Sequence, residues 1–269
     1  MRLASLALCA ALLPGVASAN AAFDRLVELL GVDAYIAVTR NEGLRGVDDL
    51  ALDMTGRPAS PSMVQQMDQI YNAERMRDTV VTWLETELTE EQITTSLIVF
   101  DSAPGMRITE LEIAARQAIS DKDIETAARL AWIGAEETHP WLVARINEMV
   151  SINDLIERNV SGALNSNFRF FQGLADGDGL EMSESEMLAD VWSQEEEVRI
   201  DTAAWIGGYL LLAYQPLSEE DLADYLAFWK TDTGRALNGV LFDSFNKMYD
   251  DISYATGRVV ALNLSGQDL

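Results

Sequence analysis

The sequence predicts an all-α fold, a helical bundle built from two tandem related helical modules. Apolar residues recur at intervals of three to four along most of the chain, whereas the alternation typical of β-strands is nearly absent. Short connections containing Pro, Gly, Ser, Thr or Asp separate the periodic segments, as in helical bundles. A motif at residues 88–105 also recurs at residues 217–234, which indicates the tandem arrangement.

The repeat is seen when residues 88–105 are moved forward by 129 positions. Five of the 18 pairs are then identical, whereas ordinary residue frequencies give about one. We therefore divide the chain after residue 19 into a first module, residues 20–138, and a second module, residues 139–269. The identical pairs are Leu88/Leu217, Glu90/Glu219, Glu91/Glu220, Leu97/Leu226 and Gly105/Gly234.

In the first module, the apolar stripe at residues 23–30 predicts a short opening helix. Methionines and aliphatic residues at helical spacing predict one long helix over residues 62–87. Three further helices are predicted over residues 90–100, 103–119 and 121–135. His139-Pro140 breaks the chain near its middle, because the residue before proline disfavours helical geometry.

The second module repeats this plan. Its helices are predicted over residues 141–159, 183–214, 219–229 and 232–262. Residues 203–214 are apolar but too few to span a bilayer, which needs about 20 residues, so they predict a buried helix. Residues 176–179, with sequence Asp-Gly-Asp-Gly, predict a flexible loop between helices.

Thr89 and Ser218 are predicted helix N-caps, whose hydroxyl oxygens accept a hydrogen bond from a backbone N–H in the first turn. Gln92 can return a bond to the backbone of Thr89 and so complete a capping box, which Asp221 does less well for Ser218. The glutamates after each cap lie where the helix dipole stabilises negative charge. They are Glu90, Glu91, Glu219 and Glu220.

Gly105 and Gly234 fall in the first turn of the next helix, where glycine costs about 1 kcal/mol relative to alanine. Glycine at both positions predicts a close approach by the preceding helix, at Phe100 in one copy and Trp229 in the other. We interpret the motif as a tight helix–turn–helix corner, a structural element that brings no catalytic group.

At these residues the chain resembles a known family, the secreted bacterial domain of unknown function numbered two-zero-five-nine. The resemblance lies in a leucine, a Thr/Ser cap, paired glutamates, a helix with an aromatic pair, and Ser/Thr-x-x-Gly before a closing helix. Residues 217–234 match this pattern, with Phe228-Trp229 as the aromatic pair. Residues 88–105 match more loosely, since Val99-Phe100 replaces that pair. The resemblance implies an exported helical protein in two diverged copies and implies no activity.

Residues 1–19 are predicted to be a signal peptide. Arg2 precedes a short apolar run, and Ala17-Ser18-Ala19 forms an A-x-A cleavage site. We therefore expect cleavage after Ala19 and a periplasmic or secreted protein with no membrane span in the mature chain. Cys9 is the only cysteine and would leave with the signal peptide, so no disulfide or cysteine metal ligand is expected.

The chain is strongly acidic, with a formal net charge of −25. Such a surface repels nucleic acid and anionic membranes, so neither is predicted as a partner. Solubility is the simplest interpretation of the acidic residues, and binding of a cation or of a basic partner is the alternative.

No local sequence motif predicts catalysis, a metal or a cofactor, and catalytic residues stay unassigned. His139 is the only histidine, whereas zinc needs three or four nitrogen or sulfur ligands. The loop after Asp176 departs from an EF-hand, because Glu181 and Met187 occupy the positions that need Gly and Glu. A looser cation site in this loop remains open.

These features favour an exported interaction module whose partner is an envelope protein or an apolar ligand, bound in a groove of methionines and aromatic residues. The alternatives are an enzyme whose carboxylates converge only in the fold, and a cation-binding protein. The fold can separate them. An apolar groove supports binding, whereas two buried carboxylates converging in a cleft support catalysis.

Overall fold

The computed structural model describes residues 14–264, with side chains from residue 20 onward, and every regular element in that range is an α-helix. Most of the predicted signal peptide therefore lies outside the described residues. None of the described helices combines the length and apolarity needed to traverse a bilayer. The helices are α1 (Pro14–Leu29), α2 (Val32–Arg45), α3 (Val47–Thr55), α4 (Pro61–Ile70), α5 (Ala73–Glu87), α6 (Glu90–Phe100), α7 (Ala103–Ala118), α8 (Lys122–Ile133), α9 (Ala135–Thr138), α10 (Pro140–Ile152), α11 (Leu155–Asp176), α12 (Glu184–Ser193), α13 (Glu195–Tyr214), α14 (Glu219–Trp229) and α15 (Asp232–Leu264).

Helices from the two halves of the chain are interleaved. Helix α5 of the first half packs on α15 of the second, and α13 of the second half packs on α7 of the first. Within each half the opening helix packs on the capped one, α1 on α6 and α10 on α14. The long α15 also makes its most extensive contact with α11. Neither half therefore packs only against its own helices.

The main hydrophobic core draws buried side chains from both halves, from Phe23 in α1 to Ile252 in α15. The apolar residues predicted for the opening helix are buried there. The stretch at residues 203–214 is buried from Ile206 onward except at Tyr209 and Leu212, which are partly buried. Two smaller clusters flank this core. One joins Met63 and Met67 of α4 to α15, and the other lies between α11 and α12. The two halves thus share one core.

Three long helices predicted from the sequence are wrong in extent, because each is interrupted. The segment 62–87 breaks at Asn72, whose side chain accepts a hydrogen bond from the backbone N–H of Arg75 and so caps α5. The segment 141–159 breaks at Asp154, which adopts a left-handed conformation with φ of 52°. The segment 183–214 breaks at Gln194, between α12 and α13. The apolar period continues across each break, so periodicity alone hides it.

Helices α2, α3, α9 and most of α11 were not predicted. The inner side of α2 carries Tyr35 and Thr39 between aliphatic residues, so its apolar stripe is discontinuous. Helix α11 approaches α15 through glycines: a Cβ at Gly173 would collide with the carbonyl oxygen of Tyr254, and one at Gly257 with that of Phe170. Helices α6, α7, α8, α14 and α15 lie close to their predicted bounds.

Candidate functional site

The two corners are capped as the sequence predicts, but with different chemistry. Thr89 Oγ1 accepts from the backbone N–H of Gln92 at 3.2 Å, and Gln92 Oε1 accepts from the backbone N–H of Thr89 at 2.9 Å, which completes a capping box. Ser218 Oγ accepts from the backbone N–H of Asp221 at 3.1 Å. The Asp221 carboxylate accepts from the Ser218 hydroxyl at 2.6 Å instead of from its backbone. The first-turn glutamates, Glu90, Glu91, Glu219 and Glu220, are exposed.

The paired glycines permit the close approach that the sequence predicts. A Cβ added at Gly105 would lie under 3.0 Å from the carbonyl oxygen of Val99, and one at Gly234 would lie equally close to that of Phe228. These carbonyls immediately precede Phe100 and Trp229. Both helix pairs, α6–α7 and α14–α15, therefore turn so tightly that the backbones touch.

The two corners meet each other inside the protein. The ring of Phe100 packs edge-on against the rings of Phe228, Trp229 and Tyr225, with centroids 5.6, 6.0 and 6.1 Å apart. Phe100 and Trp229 are buried. The motif residues thus form an aromatic cluster that joins the two halves.

A cavity of about 310 Å³ opens beside this cluster, between α7 and α15. The offset of 129 residues that relates the corners also relates its two sides: Thr109, Glu112 and Arg116 line it from α7, and Asn238, Leu241 and Phe245 line it from α15. Aromatic side chains form much of the remaining wall. They are Tyr35, Phe100, Tyr225, Trp229, Phe242 and Tyr249. Tyr249 is also exposed to solvent, so the cavity reaches the surface there.

Glu112 is the acidic group of the cavity. Its carboxylate accepts hydrogen bonds from the hydroxyls of Tyr214 at 2.6 Å and Tyr225 at 3.4 Å. Burial raises the pKa of Glu112 to about 7, although these hydrogen bonds oppose the shift. The Tyr214 distance is in the range of O–H···O⁻ bonds to an ionised acceptor. Glu112 is therefore poised to change charge near neutral pH.

Two further tyrosine hydroxyls lie beside the backbone of Glu112. Tyr209 donates to the backbone carbonyl oxygen of Glu112 at 3.3 Å, and the Tyr35 hydroxyl lies 3.2 Å from that of Tyr209. Burial raises the pKa of Tyr35, Tyr209, Tyr214 and Tyr225. These phenols therefore stay neutral donors at physiological pH.

Arg116, one turn beyond Glu112 on α7, pairs with a different carboxylate, that of Glu42. Its two terminal nitrogens donate to the Glu42 carboxylate at 2.7 and 2.6 Å, and Ser120 donates to the same carboxylate at 2.6 Å. Burial alone would raise the pKa of Glu42, but the hydrogen bonds from Arg116 and Ser120 outweigh it and lower that pKa. Among the described side chains, Glu112 forms no ion pair with any Arg or Lys.

Trp229, one of the residues that line the cavity, has a polar group without a hydrogen-bond acceptor among the described residues. The indole N–H of Trp229 is buried and makes no hydrogen bond within the part of the chain that the structure describes. An unpaired buried donor costs about 1–3 kcal/mol. The cavity therefore combines apolar walls with one carboxyl group, that of Glu112, which has no cationic partner among the described side chains.

The other candidates from the sequence lie apart from the cavity. His139 is half-buried, with its ring nitrogen 3.4 Å from the side-chain amide of Gln215. The carboxylate of Asp176 accepts from Tyr254 at 2.8 Å. Within the described range, no group of three or more His, Cys, Asp or Glu is arranged to hold a metal ion.

Sequence reasoning missed Glu112. The signal that could have found it is the offset of 129 carried past residue 105, which sets Glu112 opposite Leu241. The helical period also places residues 105, 109, 112 and 116 along one face, and Gly105 marks that face as inward. A carboxylate on an inward face is rare unless it is paired.

The family resemblance and the duplication rest on the two corners. Comparisons with protein-family models, with curated protein sequences and with solved structures gave no match. Both the resemblance and the duplication therefore stay predictions.

Proposed function

We propose that this chain is an exported small-molecule-binding protein whose ligand occupies the aromatic cavity between α7 and α15. The cavity volume of about 310 Å³ carries the proposal, because ligand sites are concave, mostly apolar and about 300–1,000 Å³ in size. Its polar groups come from α2, α7, α14 and α15, as expected of groups that orient a ligand. Export to the periplasm or beyond rests on the predicted signal peptide.

The packing around the cavity favours a functional reason for it. Protein interiors are close-packed and leave few voids between helices. Here Leu241 and Phe245 line the void from α15 instead of filling it. A binding site explains why the space stays open.

The alternative function is an enzyme in which Glu112 accepts a proton. The observation that favours it is the pKa of about 7 inside a cavity, the property expected of a general base. The carboxylate pair considered from the sequence has less support, because Glu112 is the one carboxylate among the described residues that line the cavity, and Glu42 is bound to Arg116. Glu112→Gln separates the two functions, since an enzyme would keep its ligand and lose turnover.

We also propose that the two modules are diverged copies of one unit. The support is the reciprocal packing, α5 on α15 and α13 on α7, together with the equivalent corners. The cavity then lies between equivalent faces of the two copies, α7 and α15. A site of this kind can arise only when both copies are present.

Thermal melts with a neutral probe test the binding function. We expect 2-phenylethanol, at ten times its dissociation constant, to stabilise the protein by about 1.4 kcal/mol and raise its Tm by about 3–5 °C. Leu241→Trp fills the cavity and should abolish this rise. Ile98→Trp is the matched control, because Ile98 is 74% exposed and lies away from the cavity. Equal ligand effects in both variants would contradict the cavity as the site.

A further inference from the structure

We infer that the cavity selects an organic cation, a ligand whose protonated amine pairs with Glu112 while an aryl or short alkyl body lies against the aromatic walls. The inference rests on the proposed binding function and names the chemical class of its ligand. It follows from three features: the unneutralised carboxylate, the aromatic rings around it and the charge of the protein.

The carboxylate has room for further donors. An ionised carboxylate offers about four lone-pair sites, and the tyrosine hydroxyls of Tyr214 and Tyr225 use two of them. Arg116 does not supply the missing charge, since its guanidinium donates to the Glu42 carboxylate and to the Ser120 hydroxyl. An ammonium group carries three donors and one positive charge, and so matches what Glu112 lacks.

The walls of the cavity favour a cation near this carboxylate. Tyr35, Phe100, Tyr225 and Trp229 all line the same space as Glu112. The faces of aromatic rings carry negative potential, and they attract ammonium groups within about 6 Å. The same rings pack against an apolar ligand body, so a single molecule can satisfy both. Aromatic cages that bind ammonium ligands use this combination of rings and charge.

The protein as a whole disfavours an anionic ligand. The net charge of −25 raises the local concentration of cations and repels anions. Inside the cavity an anion would meet the Glu112 carboxylate in surroundings of low dielectric, where like charges repel more strongly than in water. A ligand carboxylate or phosphate is therefore excluded unless Glu112 is protonated.

The preference for a cation should depend on pH through Glu112 alone. The titratable and charged groups around it are Tyr35 and Glu42 on α2, Arg116 on α7, Tyr209 and Tyr214 on α13, Tyr225 on α14 and Tyr249 on α15. Burial raises the pKa of the four phenols that contact Glu112 or Tyr209, and Arg116 lowers that of Glu42. Between pH 5.5 and pH 8 the carboxyl of Glu112, with a pKa of about 7, is thus the group that changes charge.

Calorimetric titration with three probes of similar size tests the inference on the full mature chain. The probes are 2-phenylethylamine, 2-phenylethanol and phenylacetate, which carry positive, zero and negative charge at pH 8. We expect the amine to bind about tenfold more tightly than the alcohol, because bonds to charged groups are stronger than neutral ones. Phenylacetate should bind most weakly. At pH 5.5 the preference for the amine should fall by about tenfold or more as Glu112 takes up a proton.

Two matched variants assign the preference to one residue. Glu112→Gln keeps the shape of the side chain and should remove the difference between amine and alcohol, while binding of the alcohol persists. Glu110→Gln removes the same charge from the exposed face of the same helix and should leave the tenfold preference intact.

The outcomes separate this inference from the proposed function. If the alcohol and the amine bind equally in the unaltered protein, the cation inference fails and the binding function stands. If none of the three probes binds, both fail. A preference that is the same at pH 5.5 and pH 8, or that Glu110→Gln removes as fully as Glu112→Gln, overturns the role of Glu112.

Discussion

The corner at residues 88–105 and the corner at residues 217–234 have the same backbone and different surroundings. Each has a hydroxyl cap, an inward apolar face and a glycine that touches the preceding carbonyl. The helices that follow differ where they line the cavity. Glu112 and Arg116 of α7 stand where α15 has Leu241 and Phe245. The corners therefore provide a common frame, and the residues beyond them provide the chemistry.

The asymmetry also extends into the capped helices. Tyr225 of α14 donates to Glu112, whereas the equivalent residue of α6 is Ser96, whose buried hydroxyl has no hydrogen-bond partner among the described residues. The first half thus supplies the acidic group, and the second half supplies one of the hydroxyls that hold it. Each half therefore lacks part of the site, and the complete cavity needs residues from both halves.

The largest effect is expected from adding side chains at the two glycines. Gly105→Leu and Gly234→Leu should each lower the free energy of unfolding by about 3 kcal/mol, at the upper end of the range for overpacking, because backbone atoms stand in the way. Chemical denaturation measures this. Even alanine should destabilise, since the collision outweighs the gain of about 1 kcal/mol in helix propensity.

Gly239 provides the control for these variants. It lies in α15, and no atom lies within 4 Å of the position that its Cβ would take. Gly239→Ala should therefore stabilise the protein by about 1 kcal/mol. Unchanged stability in both leucine variants would overturn the packing account of the corners. Loss of stability in only one of the two leucine variants would show that the corners are not equivalent.

The next effect is expected at Glu112, where the two halves differ most. The folded state raises the pKa of this carboxyl from 4.5 to about 7, so it binds the proton more tightly than the unfolded chain does. The resulting stability is fully present below about pH 4.5 and is lost as the pH rises through 7. Glu112→Gln should therefore stabilise the protein by about 2 kcal/mol at pH 8 and change little at pH 4.5.

Parallel melts of the unaltered protein and the Glu112→Gln variant at both pH values measure this difference in stability. Subtracting one protein from the other cancels the pH dependence that the other carboxylates contribute to both. Glu110→Gln is the control and should fall within about 0.5 kcal/mol at either pH, as is usual for exposed sites. Stabilisation by removing a functional group is typical of binding and catalytic sites. Destabilisation at pH 8 would mean that the ionised carboxylate is satisfied by its tyrosines alone.

The smallest effect is expected at the caps, where the corners are most alike. Thr89→Ala and Ser218→Ala should each lower the free energy of unfolding by about 1 kcal/mol, because each leaves a first-turn N–H without its acceptor. Urea denaturation of the two variants tests whether their losses of unfolding free energy are equal. Effects that differ by more than a factor of two would show that the capping box at Gln92 and the Asp221 arrangement are energetically distinct.

Local signals in the sequence predict the elements whose ends are capped. Helices α6 and α14 begin after Thr89 and Ser218, and α7 begins after Ser102, because side-chain hydroxyls satisfy backbone groups a few residues away. The breaks at Asn72 and Asp154 escaped because an apolar stripe runs across them. The Asn72 cap is itself a local signal, which the continuous apolar stripe obscured.

The sequence by itself determined the helical class, the acidic surface and the two corners, because these depend on composition and on contacts within a few residues. Only the tertiary structure decided that the two halves share one core and that a cavity lies between α7 and α15. Glu112 is one acidic residue among many in the chain. It becomes distinctive because Tyr214 and Tyr225, about one hundred residues away, pack against its carboxylate and donate hydrogen bonds to it. Desolvation is a property of that packing, and no local pattern encodes it.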